Sequence, residues 1–132
     1  GESRLIDALV GAKGLEFISY DGENIEIKAN DPLRIFKFKT GYSRVLVEIN
    51  KKLGQKSTYK CKNKDLEIYN MVGEDDIITK GDKGIKSSLD FLKSIGYKNI
   101  QNKVYKNMKH EILNETDKKM VYEDILNFFE GK

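Results

Sequence analysis

Two short runs carry side chains fit for proton transfer. One is the acidic turn Gly73-Glu74-Asp75-Asp76. The other is Lys109-His110-Glu111-Ile112-Leu113-Asn114-Glu115, which holds the only histidine of the 132 residues. An imidazole takes the proton from an attacking hydroxyl, and a carboxylate behind it fixes its tautomer and stabilises the imidazolium. Each run alone is ordinary: an acidic turn is usually a solvated turn, and a lone histidine is usually a surface or core residue. What singles them out is placement. Each follows directly on a predicted strand, and open α/β sheets set their functional groups where strand C-terminal ends meet loops.

The elements that must position these groups show in the hydrophobic pattern. Leu66 to Val72 reads as a strand ending at Gly73, and Ile100 to Tyr105 as a second. Between them Ile85, Leu89, Leu92 and Ile95 recur at helical spacing, predicting a helix from about Gly84 that stops at Gly96. A last helix is predicted over 117–129, with Val121, Ile125, Phe128 and Phe129 apolar. A strand, crossover helix and strand of this length imply parallel pairing, and two parallel strands are a piece of a wider sheet. The first 60 residues read differently, as short amphipathic pieces between turn signals. Ser3 to Val10 reads as a short helix, Asp21-Gly22 as a turn, Asp31-Pro32 as a boundary, and Tyr42 to Leu53 as a helix closed by Gly54.

Composition excludes several classes. Net charge is only +3 although 34% of residues are charged, and lysines alternate with acids throughout, so nucleic acid is not an expected partner. Cys61 is the only cysteine, which rules out an internal disulfide and predicts a reducing, cytoplasmic setting. One His, one Cys and scattered carboxylates show no ligand spacing, so neither a metal nor another cofactor is expected. No apolar run is long enough to span a membrane, and residues 1–15 do not read as a signal peptide.

Gly73-Glu-Asp-Asp76 at a strand end, followed by His110-Glu-Ile-Leu-Asn-Glu115, resembles the tail of the lysophospholipase and monoacylglycerol lipase-like α/β-hydrolases, the serine aminopeptidase S33 type. In that family a Gly-x-x-Asp turn supplies the triad acid and a His-Glu-x-x-Asn-Glu segment the triad base. Asp82-Lys-Gly-Ile85, Val121-Tyr-Glu-Asp-Ile-Leu126, Phe17-Ile-Ser-Tyr-Asp21, Asn30-Asp-Pro-Leu33 and Gly41-Tyr42 are similar too, so the resemblance spans residues 15–130. It implies an α/β fold: the C-terminal part of an α/β-hydrolase, with the end of the cap over 1–60 and a β-α-β-α part of the core over 61–132. It implies Asp76 and His110 as catalytic residues, with Asp75 the alternative register for the acid. Phe17, Leu33, Ile35 and Phe36 are the candidates for an acyl pocket.

The chain departs from the family where Ile77-Ile78-Thr79 replaces the usual Pro-Val-Gly after the acid. It contains no Gly-x-Ser-x-Gly elbow; Ser43 in Gly41-Tyr-Ser-Arg-Val45 comes nearest but lacks the closing glycine and a preceding strand. The expectation is therefore a carboxylic ester hydrolase without its nucleophile, inactive alone. Its partners would be the N-terminal half of the same protein and a lipid or other acyl ester, and an exposed sheet edge would favour self-association. The rival reading is a small non-catalytic α/β interaction or regulatory domain in which Asp76 and His110 are incidental.

Overall fold

The computed structural model describes residues 14–34 and 40–131. Ile68, Tyr69, Met71 and Val72 are β-branched, aromatic or long apolar side chains of the kind that fit a half-buried pleated surface. They form β1, Ile68–Gly73. Its partner is β2, Ile100–Tyr105. The two run parallel in the register Ile68↔Ile100 to Gly73↔Tyr105, so both C-terminal ends reach the same edge. β1 starts two residues later than its hydrophobic run suggests because the partner sets the limit. Ile68 donates its N–H to Asn99 O at 2.9 Å, and Gly73 is drawn in opposite Tyr105.

The helices in chain order are α1 (Gly22–Ala29), α2 (Thr40–Leu53), α3 (Gly81–Ser94) and α4 (Lys118–Glu130). Asp21-Gly22, expected as a turn, opens α1 instead. The Asp21 carboxylate accepts from Glu23 N at 3.0 Å and Asn24 N at 3.2 Å, which makes it an N-cap. Pro32 stands in a turn closed by Arg34 N donating to Asp31 O at 3.0 Å, as a proline boundary requires. α2 ends at Leu53, with Gly54 beyond it, but none of its residues is buried. Val45, Ile49 and Leu53 on its apolar side are exposed. The predicted helix over 3–10 lies outside the described residues.

α3 begins three residues before its expected start. Gly84 falls inside it, where a Cβ would sit 1.7 Å from Thr79 O; only glycine lets the preceding turn pass so close. Its end is the expected one: Ile95 N–H bonds back into the last turn and Gly96 takes φ 115°, a value side chains avoid. α4 ends in the same way on Gly131 at φ 68°. The core lies between the strand ends and α4, where Tyr105, Met108 and Val121 are buried and Met71, Ile112 and Ile125 pack on them. Each such large apolar side chain contributes about 1.5–3 kcal/mol on burial. The fold is α/β, and its best-packed part holds the two loops that carry Asp76 and His110.

Candidate active site

The turn that carries Asp76 closes on itself. Asp76 N donates to Gly73 O at 3.2 Å, and the carboxylate Oδ1 accepts from Ile78 N at 2.8 Å. Thr79 Oγ1 donates to Asp76 O at 2.8 Å. The Ile77-Ile78-Thr79 sequence therefore completes the turn with its own N–H and hydroxyl, although it lacks the proline and glycine of the resembled pattern. Asp76 is left only 6% exposed.

The loop that carries His110 lies directly on that turn. Glu74 N donates to Tyr105 O at 2.8 Å and Asp75 N to Met108 O at 3.0 Å, continuing the strand pairing past the end of β2. Asn107 reverses the chain at φ 55°, a left-handed value that asparagine tolerates better than most side chains. The crossing needs Gly73: a Cβ there would lie 2.2 Å from Lys109 O and 2.3 Å from Met108 O. Met108 anchors the loop in the core.

These constraints bring His110 Nδ1 to 3.0 Å from Asp76 Oδ2. One carboxylate oxygen is thus held by Ile78 and the other by the imidazole. The histidine side chain remains 44% exposed, with the Phe17 ring 6.1 Å away, centroid to centroid. A carboxylate held at Nδ1 selects the tautomer that donates from Nδ1 and leaves Nε2 with the lone pair. Such an arrangement can accept a proton at Nε2 from a hydroxyl and return it. Asp75 faces elsewhere. Its Oδ2 accepts from Tyr20 OH at 3.0 Å, and that bond holds the phenol above its ordinary range.

A family model described as "Serine aminopeptidase, S33" matches residues 4–117. The chain belongs to the S33 serine aminopeptidase family. Its structure is also similar to a highly thermostable carboxyl esterase from Bacillus coagulans, determined in complex with glycerol. The two are 24% identical with a TM-score of 0.70 over 84% of this chain and 36% of the esterase chain. That likeness carries the fold: the chain takes the α/β-hydrolase fold over a part of it, spanning about a third of the esterase's length. No curated protein matches.

Around Asp76 and His110 this S33 chain has a second ring of contacts that hydrophobic pattern and motif do not reveal. Glu115, quoted only as the end of a hexapeptide, is a buried carboxylate that accepts from Lys109 N, Ser19 Oγ and Tyr20 N. Glu111 accepts from Asn114 at 2.8 Å and Asn24 at 3.4 Å, and pairs with Lys28 at 3.1 Å. Burial pushes the Glu111 carboxyl up, but the bonds from Asn114, Lys28 and Asn24 outweigh it and hold the group below its ordinary range. Glu111 N donates to Ile18 O at 2.8 Å, so residues 18–28 are docked on the histidine loop.

A cavity of about 670 Å³ opens beside the pair, lined by Phe17, Tyr20, Asp75, Ile77 and Lys109 among others. Of the four residues expected in an acyl pocket, Phe17 lines it. Leu33 is 86% exposed and away from it, and Ile35 and Phe36 lie outside the described residues. Ser43 sits in the first turn of α2. Among the described residues no His/Cys/Asp/Glu group is arranged to hold a metal, and no helix is long and apolar enough to cross a membrane.

Proposed function

We propose that this chain supplies the acid and the base of a serine carboxylic ester hydrolase, with Asp76 as orienter and His110 as proton carrier. The observation that carries the reading is the 3.0 Å contact between His110 Nδ1 and a buried Asp76, built where two parallel strands end. In this reaction His110 Nε2 takes the proton as a serine oxygen bonds to the acyl carbon. It then gives that proton to the departing alcohol, and water repeats the sequence to release the acid. The nucleophile and the oxyanion donors are assigned to the N-terminal half of the same protein, since these 132 residues hold no Gly-x-Ser-x-Gly elbow.

Residues 1–60 then belong to the end of a cap and 61–132 to the hydrolase core. The exposed apolar side of α2 supports that division, because a cap helix would bury such a side against the remainder of the enzyme. The substrate class is an acyl ester of the lysophospholipid or monoacylglycerol kind, supported by the resemblance of the two motifs and by an esterase among the structural neighbours. The single cysteine supports a reducing, cytoplasmic setting.

In the longer enzyme, His110→Ala and Asp76→Asn are each expected to lower kcat on a short-chain ester by about three or more orders of magnitude. Asp75→Asn is expected to cost far less. The 132-residue chain alone is expected to take no label from a serine-directed phosphonate. Stoichiometric labelling with matching esterase turnover, or full activity of His110→Ala, would overturn the assignment.

A further inference from the structure

We propose that Glu115 is a positioning residue for His110, acting through the Met108–Lys109 peptide; this rests on His110 being the base. Glu115 is 1% exposed, and among the described residues its partners are a hydroxyl and two main-chain N–H groups. Its Oε1 accepts from Lys109 N at 2.7 Å, and its Oε2 accepts from Ser19 Oγ and Tyr20 N, both at 2.8 Å. A buried carboxylate is expensive to desolvate and is tolerated only where its oxygens are satisfied. A neutral glutamine has one acceptor oxygen and would set its amide protons against one of the two backbone N–H groups. The charge is therefore used in full.

The geometry shows what it is used for. The peptide between Met108 and Lys109 is held at both ends. Its carbonyl accepts from Asp75 N at 3.0 Å, on the acid's own turn. Its N–H donates to Glu115, on the side leading into α4. His110 is the next residue, and immediately beyond it Glu111 N is tied to Ile18 O at 2.8 Å. The Cα of His110 is thus fixed by backbone bonds on both sides, and the imidazole meets Asp76 without a long flexible stem to order. The same carboxylate clasps Ser19 and Tyr20, so displacement of the 18–20 segment is transmitted to the base through one side chain.

The test reads the His110 ring rather than stability. In the 132-residue chain at a pH where the ring is neutral, long-range ¹H–¹⁵N spectra distinguish the two ring nitrogens, and a single Nδ1–H tautomer is expected. Glu115→Gln is expected to collapse that separation toward averaged nitrogen shifts while backbone dispersion persists. Ser19→Ala removes one bond but leaves Lys109 N on Glu115, and is expected to keep the ring signature. Glu115→Asp, which keeps the charge and draws it back by one methylene, gives the same reading should Glu115→Gln fail to fold. An unchanged ring in a folded Glu115 variant overturns the inference, as does equal loss in Ser19→Ala. Asp76→Asn separates the two layers. If it shifts the ring and Glu115 variants do not, only the positioning role fails; if Asp76→Asn leaves the ring untouched, the acid–base assignment fails as well.

Discussion

Replacing Gly73 by alanine adds one methyl group where the end of β1 passes under the His110 loop. The new Cβ would meet Lys109 O at 2.2 Å, Met108 O at 2.3 Å and the Met108 carbonyl carbon at 2.6 Å. All three are backbone atoms, so no change of rotamer relieves the clash. The loop must move outward by about 1 Å, and overpacking that shifts backbone costs about 1–3 kcal/mol. That movement stretches the bonds from Glu74 N to Tyr105 O and from Asp75 N to Met108 O, at 2.8 and 3.0 Å. Each contributes about 0.5–1.5 kcal/mol net. Alanine restricts the unfolded chain and so offsets about 0.4–1 kcal/mol. The expected net loss is about 2–4 kcal/mol, a large part of the roughly 5–15 kcal/mol that holds a domain together. With a urea slope of about 1–3 kcal/mol per molar, the unfolding midpoint is expected to fall by about 0.7–4 M. Urea unfolding followed by far-UV circular dichroism measures it, with Gly22→Ala as the control because a Cβ there meets nothing within 4 Å. If Gly73→Ala moves the midpoint no more than Gly22→Ala does, the close crossing does not constrain the histidine loop.

Tyr20→Phe deletes a hydrogen bond to an exposed carboxylate, and is expected to change the urea midpoint little and to leave the His110 ring signature unchanged. A shifted ring would mean that the Tyr20–Asp75 contact also orients the base. Glu111 is held below its ordinary range, so the folded state binds its proton less readily than the unfolded chain does. Its contribution to stability is present above the ordinary glutamate range and is lost as pH falls through the lower, folded value. A ¹³C titration of the Glu111 carboxyl should show a depressed midpoint that rises on Lys28→Ala; a midpoint in the ordinary range would remove the reason to expect α1 to loosen in acid.

The pattern of the chain made the α/β order readable, because helix stops are written in residue type. Gly96 and Gly131 both adopt positive φ where their helices end. Strand limits were less readable, since Leu66 and Glu67 fit β1 in type but have no partner opposite them in the register. Asp21-Gly22 was ambiguous for a physical reason: the same aspartate oxygen that closes a turn can cap a helix, and the free N–H groups of Glu23 and Asn24 decided the matter. Glu115 was invisible as a site. A charged residue in sequence reads as solvated, and two of the three donors to this one come from Ser19 and Tyr20, far away along the chain.

The two adjacent aspartates of the Gly73–Asp76 turn are placed differently by the fold. Asp76 N closes the turn on Gly73 O at 3.2 Å, and Asp75 within it is exposed. Asp76 is accordingly buried with both oxygens bonded, to Ile78 N and to His110 Nδ1. Asp75 contributes its backbone N–H to Met108 O and turns its carboxylate to Tyr20. The two acids therefore do separable work. Asp75 splices the two loops through its main chain, so Asp75→Asn preserves the splice and changes only the latch to Tyr20. Asp76 meets His110 through its side chain, so Asp76→Asn keeps the turn's backbone bonds and removes the charge beside Nδ1. A pair of variants that behaved alike at the His110 ring would contradict that division, whatever their effect on stability.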